Sequence, residues 1–413
     1  MKNEVITFGC RLNSYESEVI KDNLQNSNLE DVIVFNTCSV TKDAERKARQ
    51  AIRKAKRNNP NIRIIVTGCS AQINPDQYLN MPQVDKILGN EEKLSLRHYN
   101  FNEKILVNDI MSIMETASHL VSSIEGKARA FVQVQNGCNH RCTFCIIPYA
   151  RGNSRSVPIG EIVNQVRKLV ESGYNEVVLT GVDITDYGLD LPGKPTFGQM
   201  VKRLLALVPE LQRLRLSSVD VAEIDDDIFY LIENEQRLMP YFHISLQAGD
   251  DMVLKRMKRR HTRQDVINFT NKVRYLRSDV AFGADIIAGF PTETDEMFNN
   301  TLNLVSEADL QFLHVFPYSI REGTPAAKMP QVPVNIRKER AELLRQAGKK
   351  QLHKYLLNKI GHNVKVIIEK DLIARAEDFT EIKLDKQYEI GSLANIEVSS
   401  MKDGFLQGFA SVA

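Results

Sequence analysis

The chain of 413 residues contains no tryptophan, only six cysteines and no apolar run long enough to span a membrane. So few cysteines exclude the disulfide-dense scaffolds of small secreted proteins, and we identify no secretory leader. The net charge is only +2, so no global excess of basic residues marks a nucleic-acid-binding protein. The 43% hydrophobic and 26% charged residues are typical of globular domains. We therefore expect a cytoplasmic protein with no membrane partner, and nothing demands more than a monomer.

Residues 1–108 alternate short apolar runs with helical stretches, which is the pattern of an open parallel α/β domain. The predicted strands are Val5–Phe8, Val32–Asn36, Ile62–Thr67 and Lys86–Leu88. The predicted helices are Ser14–Gln25, Asp43–Arg57 and Glu91–His98. Residues 109–127 have weak periodicity and several Ser and Met residues, and we interpret them as a linker.

The alternation restarts at residue 128, and six further βα units follow before residue 358. Six units do not close an eight-stranded barrel, so we predict an open partial (β/α)6 barrel over 128–358. Its active site should lie at the C-terminal ends of the strands. The predicted strands are Phe131–Gln135, Glu176–Thr180, Arg213–Ser217, Phe242–Gln247, Ala281–Ala288 and Phe312–Pro317, and the last helix is Asn335–Leu357.

The final segment, 359–413, consists of short strands separated by Gly and Asp turns, which predicts a small antiparallel β-barrel. Its predicted strands are Val364–Glu369, Thr380–Lys383, Ala394–Val398 and Gly404–Val412. The predicted fold class is therefore α/β, with an open parallel domain, a partial barrel and a small terminal barrel in that order.

Three closely spaced cysteines, Cys138, Cys142 and Cys145, lie in the run GCNHRCTFCIIPYARG, directly after the first strand of the partial barrel. Three thiolates on one loop can ligate three irons of a 4Fe–4S cluster and leave the fourth iron open. A zinc site is the alternative, but His140 lies between two of these cysteines, where reaching the same metal would strain the loop. A disulfide would leave one thiol unpaired. We interpret the run as a cluster site.

The other three cysteines each follow an apolar strand, in VITFGC, VIVFNTC and IIVTGC. Because neighbouring parallel strands end at one edge of a sheet, Cys10, Cys38 and Cys69 should converge there. A lone cysteine at a strand end is often only a small buried hydrophobe, and that remains the alternative. Three cysteines in equivalent positions favour a second 4Fe–4S cluster.

Two basic stretches could contact RNA phosphates. One is LKRMKRRHTR, which follows a predicted strand, and the other is the helix Asn335–Leu357. A solvated helix face is the alternative, above all for the helix.

The central cysteine run resembles the signature of the radical S-adenosylmethionine (SAM) superfamily, including Phe144 just before the last cysteine. The resemblance implies that the open iron binds SAM and that reductive cleavage of SAM gives a 5′-deoxyadenosyl radical. SAM then supplies the reactivity, and the protein supplies position and exclusion of water.

The whole chain resembles the methylthiotransferases of this superfamily. FGCRLNSYESE, NTCSVT and VTGCSAQ resemble the N-terminal motifs of that family, and the tail resembles its RNA-binding TRAM domain. The resemblance implies that the cluster on Cys10, Cys38 and Cys69 holds the sulfur to be transferred. It also implies that a CH3–S group replaces a hydrogen of an unactivated C–H bond and that one SAM supplies the methyl group.

FCIIPYARG, LKRMKRRHT and HVFPYSIREGTPAAKM resemble the branch that modifies threonylcarbamoyladenosine at position 37 of tRNA, although His261 stands where that branch usually has tyrosine. Two other branches remain alternatives, one acting on isopentenyladenosine in tRNA and one on an aspartate of a ribosomal protein. A non-catalytic RNA-binding protein with zinc-bound cysteines is the last alternative.

The resemblance also implies a set of functional side chains, none of which acts as a general acid or base. The expected SAM-binding residues are Phe144, Thr180, Gly181, Asp183, Ser217, Ser218, Gln247 and Asp285. The expected substrate-binding residues are Tyr149, Arg151, Arg155, Arg259, Arg260 and Arg321. Of these, Arg321 could pair the carboxylate of the threonylcarbamoyl group. The expected partners are the tRNA anticodon stem-loop, a sulfur donor and an electron donor such as flavodoxin or ferredoxin.

Overall fold

The computed structural model describes residues 3–114 and 128–410. Most of the predicted linker, residues 115–127, lies outside the described residues, and so do the last residues of the final predicted strand. The described end of the linker segment contains a short 3-10 turn, Ile110–Ser112. No helix of the described residues is long and apolar enough to cross a membrane.

The N-terminal region is a five-stranded parallel sheet whose strands lie in chain order. Its elements are β1 Glu4–Thr7, α1 Arg11–Gln25, β2 Val32–Thr37, α2 Lys42–Asn58, β3 Arg63–Gly68, α3 Cys69–Ile73, α4 Pro75–Leu79, β4 Lys86–Leu88 and β5 Ile105–Leu106. Successive side chains of a strand point to opposite faces, and helices cover both faces of this sheet. Ile20 of α1 packs on one face, and Ile52 of α2 packs on the other.

Helix α1 also joins the sheet to the central region. Its Tyr15 and Val19 belong to the large core formed mainly by residues of the partial barrel. The helix is thus buried on two sides, because Ile20 and Leu24 face the N-terminal sheet.

The central region contains the six parallel strands of a partial barrel. The barrel strands are β6 Ala130–Gln133, β9 Glu176–Thr180, the interrupted strand β10 Arg213–Leu216 with β11 Ser218–Val219, β12 Tyr241–Gln247, β13 Ala281–Ala288 and β14 Phe312–Pro317. The strands β7 Gln135–Asn136 and β8 Arg155–Ser156 form a separate antiparallel pair. Its helices are α5 Ile147–Arg151, α6 Ile159–Glu171, α7 Phe197–Leu207, α8 Asp226–Asn234, α9 Asp251–Met257, α10 Arg263–Leu276, α11 Asp295–Glu307 and α12 Val334–Leu357.

The third strand of this barrel is interrupted at Ser217, so the hydrogen-bonded order is β10-β9-β6 in one sheet and β11-β12-β13-β14 in the next. Alternation in β12 sends Phe242, Ile244 and Leu246 into the core beneath the helices. Tyr241 and His243 therefore face the inside of the barrel.

The C-terminal region is a closed five-stranded barrel formed by β15 Asn363–Lys370, β16 Ile373–Ala376, β17 Glu381–Leu384, β18 Leu393–Lys402 and β19 Phe405–Ala410. Its turn residue Phe379 has a φ of 73° and inserts against the partial barrel, where its ring stacks on Tyr241 at 4.5 Å. Arg215 of β10 donates hydrogen bonds to the carbonyls of Ala376 and Glu377. The small barrel is thereby joined to the central region by buried polar contacts.

The predicted fold class is confirmed, with four corrections in detail. The terminal barrel is not wholly antiparallel, because β17 and β19 pair in parallel. The predicted helix Glu91–His98 is two 3-10 turns, because Ser95 adopts an extended conformation between them. The short strands β5 and β16 were not predicted. The helices α3 and α4 were also missed, since Pro75 begins a new helix one residue after the first ends.

Candidate cluster and cofactor site

The three N-terminal cysteines lie at the ends of three adjacent strands, as the sequence predicts. Cys10 precedes α1, Cys38 follows β2, and Cys69 begins α3 directly after β3. Cys38 and Cys69 are buried, and Cys10 is exposed. Burial, together with the neighbouring Cys69 and Cys10, raises the pKa of the Cys38 thiol to about 12. Thiolates held this close are stable only around a cation, so this donor set fits an iron–sulfur cluster.

Two glycines make the close approach of these loops possible. A Cβ on Gly9 would lie 2.7 Å from Cys38 Cβ and 2.9 Å from Cys38 Sγ. A Cβ on Gly68 would overlap the backbone of Thr37 in the neighbouring strand. Both glycines have φ values near +100°, which favours glycine over other residues. The spacing of this site therefore depends on the backbone as well as on the thiols.

The central cysteines lie on a loop fixed by backbone hydrogen bonds. The amide of Cys138 donates to the carbonyl of Gly152, and that of Cys145 donates to the carbonyl of Cys142. Thr143 anchors the middle of the loop, because its hydroxyl donates to the carbonyl of Arg256 at 2.7 Å. Burial raises the pKa of the Cys145 thiol to about 12. Three soft donors, each partly or wholly withdrawn from water, fit a 4Fe–4S cluster.

Arg259 contacts this cysteine loop directly. Its Nη1 lies 3.7 Å from Cys142 Sγ, and its Nη2 donates to Asp220 Oδ2 at 2.8 Å. Burial alone would raise the pKa of Asp220, but hydrogen bonding from His261 and the charge of Arg259 outweigh it and lower the pKa. Asp220 therefore remains ionised and fixes the guanidinium beside the thiol. This places Arg259 at the central cysteine loop, where its guanidinium already has two partners.

His140 pairs with acidic side chains in the described structure rather than completing a set of three cysteines. Its Nε2 lies 3.1 Å from Asp183 Oδ2 and 3.4 Å from Glu223 Oε1. Hydrogen bonding to Asp183 and to Glu223 raises the pKa of His140 to about 10. Asp183 also lies beside the first cysteine of the loop, with its Oδ2 3.8 Å from Cys138 Sγ.

The expected SAM-binding residues lie along the ends or inner faces of the strands. Thr180 and Ser217 are buried, and the hydroxyl of Ser217 has no hydrogen-bond partner among the described residues. Phe144 packs edge-on against Phe290 at 6.5 Å. Gln247 ends β12 with a φ of 69°. The remaining members, which also stand at strand ends or inner faces, are Gly181, Asp183, Ser218 and Asp285.

Gln135 links the cysteine loop to the loop that contains Gly181 and Asp183. Its side-chain oxygen accepts hydrogen bonds from the amides of Val182 and Asp183 at 3.0 and 2.9 Å. Its side-chain nitrogen donates to the carbonyl of Gly137 at 2.8 Å. A Cβ on Gly181 would lie 2.7 Å from the Gln135 carbonyl oxygen and 2.8 Å from its side-chain oxygen. The close packing of Gln135 therefore explains why a glycine occupies position 181.

A buried ionic network joins the two cysteine sites. Arg151 donates to both carboxylate oxygens of Glu16, at 2.8 and 2.9 Å, and Lys93 donates to the same carboxylate at 2.7 Å. Asn90, a neighbour of Cys69, donates to the carbonyl of Ala150. Helix α5 begins two residues after Cys145 and packs on α3, which begins at Cys69. The two cysteine sites therefore meet across these two short helices.

Three of the expected substrate-binding arginines have other partners in the structure. Arg151 is 2% exposed and is held by Glu16, so it positions α5 instead of contacting substrate. Arg155 is buried and donates to the carbonyls of Arg151 and Asn153. Arg259 is held at Cys142, as described above. These side chains support the cluster loop from within.

The other expected substrate-binding residues remain nearer the surface or an interface. Tyr149 is exposed. Arg260 is partly exposed and pairs with Glu223 at 2.5 Å. Arg321 is buried at the boundary between the central and N-terminal regions, where it pairs with Glu45 of α2.

The two basic stretches do not form continuous phosphate-binding surfaces. Arg263 pairs with Glu307 at 2.6 Å, and Arg340 of α12 pairs with buried Glu293 at 2.7 Å. Arg337 is also buried, and its side chain donates to the carbonyl of Val332. The lysines of these stretches are the exposed members: Lys255, Lys258, Lys338, Lys349, Lys350 and Lys354.

Sequence reasoning missed Glu16, Lys93, Asp220 and Gln135. The one available signal was Glu16, an acidic residue among the apolar side chains of α1. Its partners come from distant segments of the chain, so no local pattern indicates them.

Two family profiles match the chain. The radical SAM superfamily matches residues 132–305, and the uncharacterized protein family UPF0004 matches residues 2–89. A protein of Rickettsia prowazekii (strain Madrid E), named threonylcarbamoyladenosine tRNA methylthiotransferase MtaB, is 62% identical over 98% of this chain and 97% of its own length. The chain belongs to the radical SAM methylthiotransferase family. As an enzyme of this family, it uses a 4Fe–4S cluster and SAM.

More distant methylthiotransferases carry two different names. A protein of Aquifex aeolicus (strain VF5) with the same name as the Rickettsia protein is 35% identical over 96% of this chain and 100% of its own length. A tRNA-2-methylthio-N(6)-dimethylallyladenosine synthase of Clostridium tetani (strain Massachusetts / E88) is 33% identical over 88% of this chain and 84% of its own.

One solved structure similar to the chain is the radical SAM methyltransferase TsrM from Kitasatospora setae. The TM-score is 0.58 at 12% identity, and the match covers 79% of this chain and 76% of that chain. At this identity the likeness concerns the fold alone.

Proposed function

We propose that this methylthiotransferase converts N6-threonylcarbamoyladenosine at position 37 of tRNA to its 2-methylthio derivative. The observation that supports this most directly is the 62% identity, over nearly the whole chain, to a protein named for that activity. The branch-specific stretches of the sequence point to the same substrate. The isopentenyladenosine branch is the second candidate, because its Clostridium tetani member is nearly as similar as the Aquifex protein.

Two sets of cysteines would hold two 4Fe–4S clusters. Cys138, Cys142 and Cys145 would hold the cluster that binds SAM, and the second cluster would lie on the set formed by Cys10, Cys38 and Cys69. When bound, the clusters and SAM supply a carbon-centred radical, the sulfur and the methyl group. The contact of α3 with α5 supports this proposal, since it brings the two cysteine sets to one boundary.

The residues of the chain have positioning and charge-balancing roles in this proposal. Arg259 donates to the Cys142 sulfur and would supply a positive charge beside the cluster held there. Gln135 fixes the Gly181–Asp183 loop against the cysteine loop, where SAM would be contacted. Arg151, Glu16 and Lys93 fix the distance between the two cysteine sets. The other proposed SAM contacts are Phe144, Thr180, Ser217, Ser218, Gln247 and Asp285.

Arg321 is the proposed partner of the threonylcarbamoyl carboxylate. Its Nε and Nη1 are buried and have no hydrogen-bond partner among the described residues. Leaving buried donors unpaired costs about 1–3 kcal/mol each, which a carboxylate ligand would offset. Glu45 already neutralises the guanidinium, however, so Arg321 alone offers no net positive charge.

The remaining partners are proposed from the family. The small C-terminal barrel and the exposed lysines near it would hold the anticodon stem-loop, and Tyr149 and Arg260 would contact the nucleotide. A flavodoxin or ferredoxin would supply electrons, and a separate donor would replenish the sulfur. We expect the reaction to occur in the cytoplasm, where tRNA is modified, and we expect the enzyme to act as a monomer.

Nucleoside mass spectrometry of tRNA from cells with and without this gene tests the proposed substrate. We expect 2-methylthio-threonylcarbamoyladenosine to disappear and its unthiolated precursor to accumulate. If that nucleoside is unchanged and the 2-methylthio isopentenyl nucleoside disappears instead, the second candidate is correct. If both are unchanged, the ribosomal aspartate becomes the substrate to examine.

A further inference from the structure

We infer that Arg11 supplies the positive charge that binds an anionic group of the nucleoside substrate, namely the carboxylate of its threonylcarbamoyl substituent; Arg321, which Glu45 neutralises, would only orient that group. This inference rests on the proposed function and adds a residue that recognises the substrate. Arg11 is the first residue of α1 and directly follows Cys10. A group bound by Arg11 would therefore lie next to the N-terminal cysteine site.

Four arginines surround the ring of Phe379, where the C-terminal barrel meets the partial barrel. Their guanidinium carbons lie 4.7 to 5.9 Å from the ring centroid, and the four residues are Arg11, Arg129, Arg215 and Arg375. Four cations around one ring repel each other, so each needs an opposite charge nearby.

Three of these arginines have carboxylate partners, and Arg11 has none. Arg215 pairs with Glu176 at 2.7 Å, Arg129 pairs with Glu369, and Arg375 pairs with Glu369 at 2.8 Å. The side chain of Arg11 makes no hydrogen bond or salt bridge with any residue that the structure describes. Its contact with the ring is also the longest of the four, at 5.9 Å.

The surroundings of Arg11 disfavour an unpaired cation. The Arg11 side chain is partly buried, close to Tyr241, Asp285 and the guanidinium of Arg215. Asp285 forms no ion pair with Arg11 in the described structure, and its carboxylate oxygen Oδ1 is contacted instead by His243 at 3.1 Å and by His314 at 3.2 Å. A ligand that supplies a negative charge complements a partly buried cation that has no ion-pair partner.

The same surroundings argue against a metal ion. His243, Asp285 and His314 present donor atoms within 4.8 Å of one another, which by itself would suit a divalent cation. The positive charges of Arg11 and Arg215 beside Asp285 would repel such a cation. An anion is the better complement, and Arg presents a planar pair of donors that matches a carboxylate.

Arg11 differs from Arg321 in the charge it offers. Arg321 is neutralised by Glu45, so it can orient a carboxylate but provides no net attraction. Arg11 has no carboxylate partner among the described residues and is partly exposed. His314, whose side chain is 57% exposed, lies on the edge strand β14 of the same barrel.

The test compares two anticodon stem-loop RNAs that differ only in charge. One contains N6-threonylcarbamoyladenosine, and the other contains its methyl ester, which has no carboxylate. Equilibrium binding and single-turnover methylthiolation are measured for reconstituted wild-type enzyme, Arg11→Met, Arg11→Lys and the control Arg375→Met. The control removes a cation from the same ring on the side of the small barrel.

We expect wild type to bind and modify the acid about 10- to 100-fold better than the ester, as for a buried hydrogen bond to a charged group. Arg11→Met should abolish this preference by weakening the acid alone, Arg11→Lys should keep part of it, and Arg375→Met should keep all of it. A preference that survives in Arg11→Met overturns the inference. Equal weakening of acid and ester also overturns it, since Arg11 would then contact a group that both RNAs share, such as a phosphate.

The outcome is separable from the proposed function. If wild type fails to modify the threonylcarbamoyl RNA but modifies an isopentenyl RNA, the proposed function is wrong. The binding measurement still decides the role of Arg11 in that case. A binding preference for the acid that depends on Arg11 supports the site, and no preference in wild type overturns it.

Discussion

The two cysteine sites are built in different ways. The central site lies on a single loop, in which Cys138, Cys142 and Cys145 are fixed by hydrogen bonds to nearby backbone. The N-terminal site is assembled by the fold, since β1, β2 and β3 each contribute one cysteine at the end of a strand. The first site depends on a short sequence, and the second depends on the register of a whole sheet.

Because of this difference, different kinds of substitution should disrupt the two sites. A change to the central loop alters the ligands themselves, whereas the N-terminal site can be lost without touching any cysteine. Gly9 and Gly68 allow the segments around Cys38 and Cys69 to approach each other closely, and neither glycine is a ligand. The ionic network of Glu16, Arg151 and Lys93 lies where the two sites meet, so it should affect both.

The largest expected effects come from single ligand substitutions, one in each site. Cys142→Ala should abolish both SAM cleavage and methylthio transfer, because the SAM-binding cluster loses a thiolate. Cys38→Ala should abolish methylthio transfer and leave SAM cleavage, because only the sulfur-holding site is damaged. Both activities are measured by chromatography of 5′-deoxyadenosine and of the modified nucleoside. Loss of SAM cleavage in properly folded Cys38→Ala would contradict the division of roles.

An intermediate effect is expected from Gly68→Ala. The new methyl group would overlap the Thr37 backbone and would require a φ of 95°, so we expect destabilisation of about 1–3 kcal/mol or more. Iron bound at the N-terminal site should fall, while SAM cleavage remains. Urea unfolding and iron analysis measure the two effects.

Gly160→Ala is the matched control. Gly160 lies in α6, and a Cβ there would meet no atom within 4 Å. This change should be neutral or should stabilise the protein by about 0.5–1 kcal/mol. Equal unfolding midpoints for the two variants would show that the backbone spacing at Gly68 is unimportant.

The smallest effect concerns pH and the network between the sites. Burial by itself would raise the pKa of Glu16, but the charges of Arg151 and Lys93 outweigh burial and lower the pKa from 4.5 to about 2. A carboxyl group with a depressed folded pKa contributes its full stability above the unfolded pKa and loses it as the pH falls through the folded value. We therefore expect wild type to lose stability below about pH 4.5 more steeply than Glu16→Gln does.

Urea unfolding at a series of pH values from neutral to acid measures these slopes. Glu16→Gln should be less stable at neutral pH, because it leaves Arg151 and Lys93 buried with one partner fewer. Parallel slopes for the two proteins would mean that the pKa of Glu16 is the same in the folded and unfolded states.

The strands and both cysteine sets could be predicted from the sequence because their signals are local. Apolar, β-branched runs mark the strands of the N-terminal sheet and of the partial barrel. Cys10, Cys38 and Cys69 each follow one of these runs. The positions of the arginines could not be predicted in the same way. Arg151 pairs with Glu16 across 135 residues of sequence, and Arg321 pairs with Glu45 across 276. Only the fold decides whether such a cation faces a buried carboxylate or a substrate.

The exceptions among the elements have equally specific causes. The sequence around Ser95 resembles a helix, but the extended backbone at Ser95 divides it into two 3-10 turns. The parallel pairing of β17 with β19 depends on closure of the small barrel and not on a local sequence pattern. No local sequence pattern distinguishes Arg11 from the other arginines of the chain. Its isolation becomes visible only beside the paired arginines around Phe379.

The most direct test of the account is iron analysis with Mössbauer spectroscopy on anaerobically reconstituted protein. Wild type is compared with two triple alanine variants, one lacking Cys10, Cys38 and Cys69 and one lacking the central cysteines. The account predicts about eight irons in wild type and about four in each variant, since each 4Fe–4S cluster has its own set of thiolates. An unchanged iron content in the variant that lacks the N-terminal cysteines would contradict it.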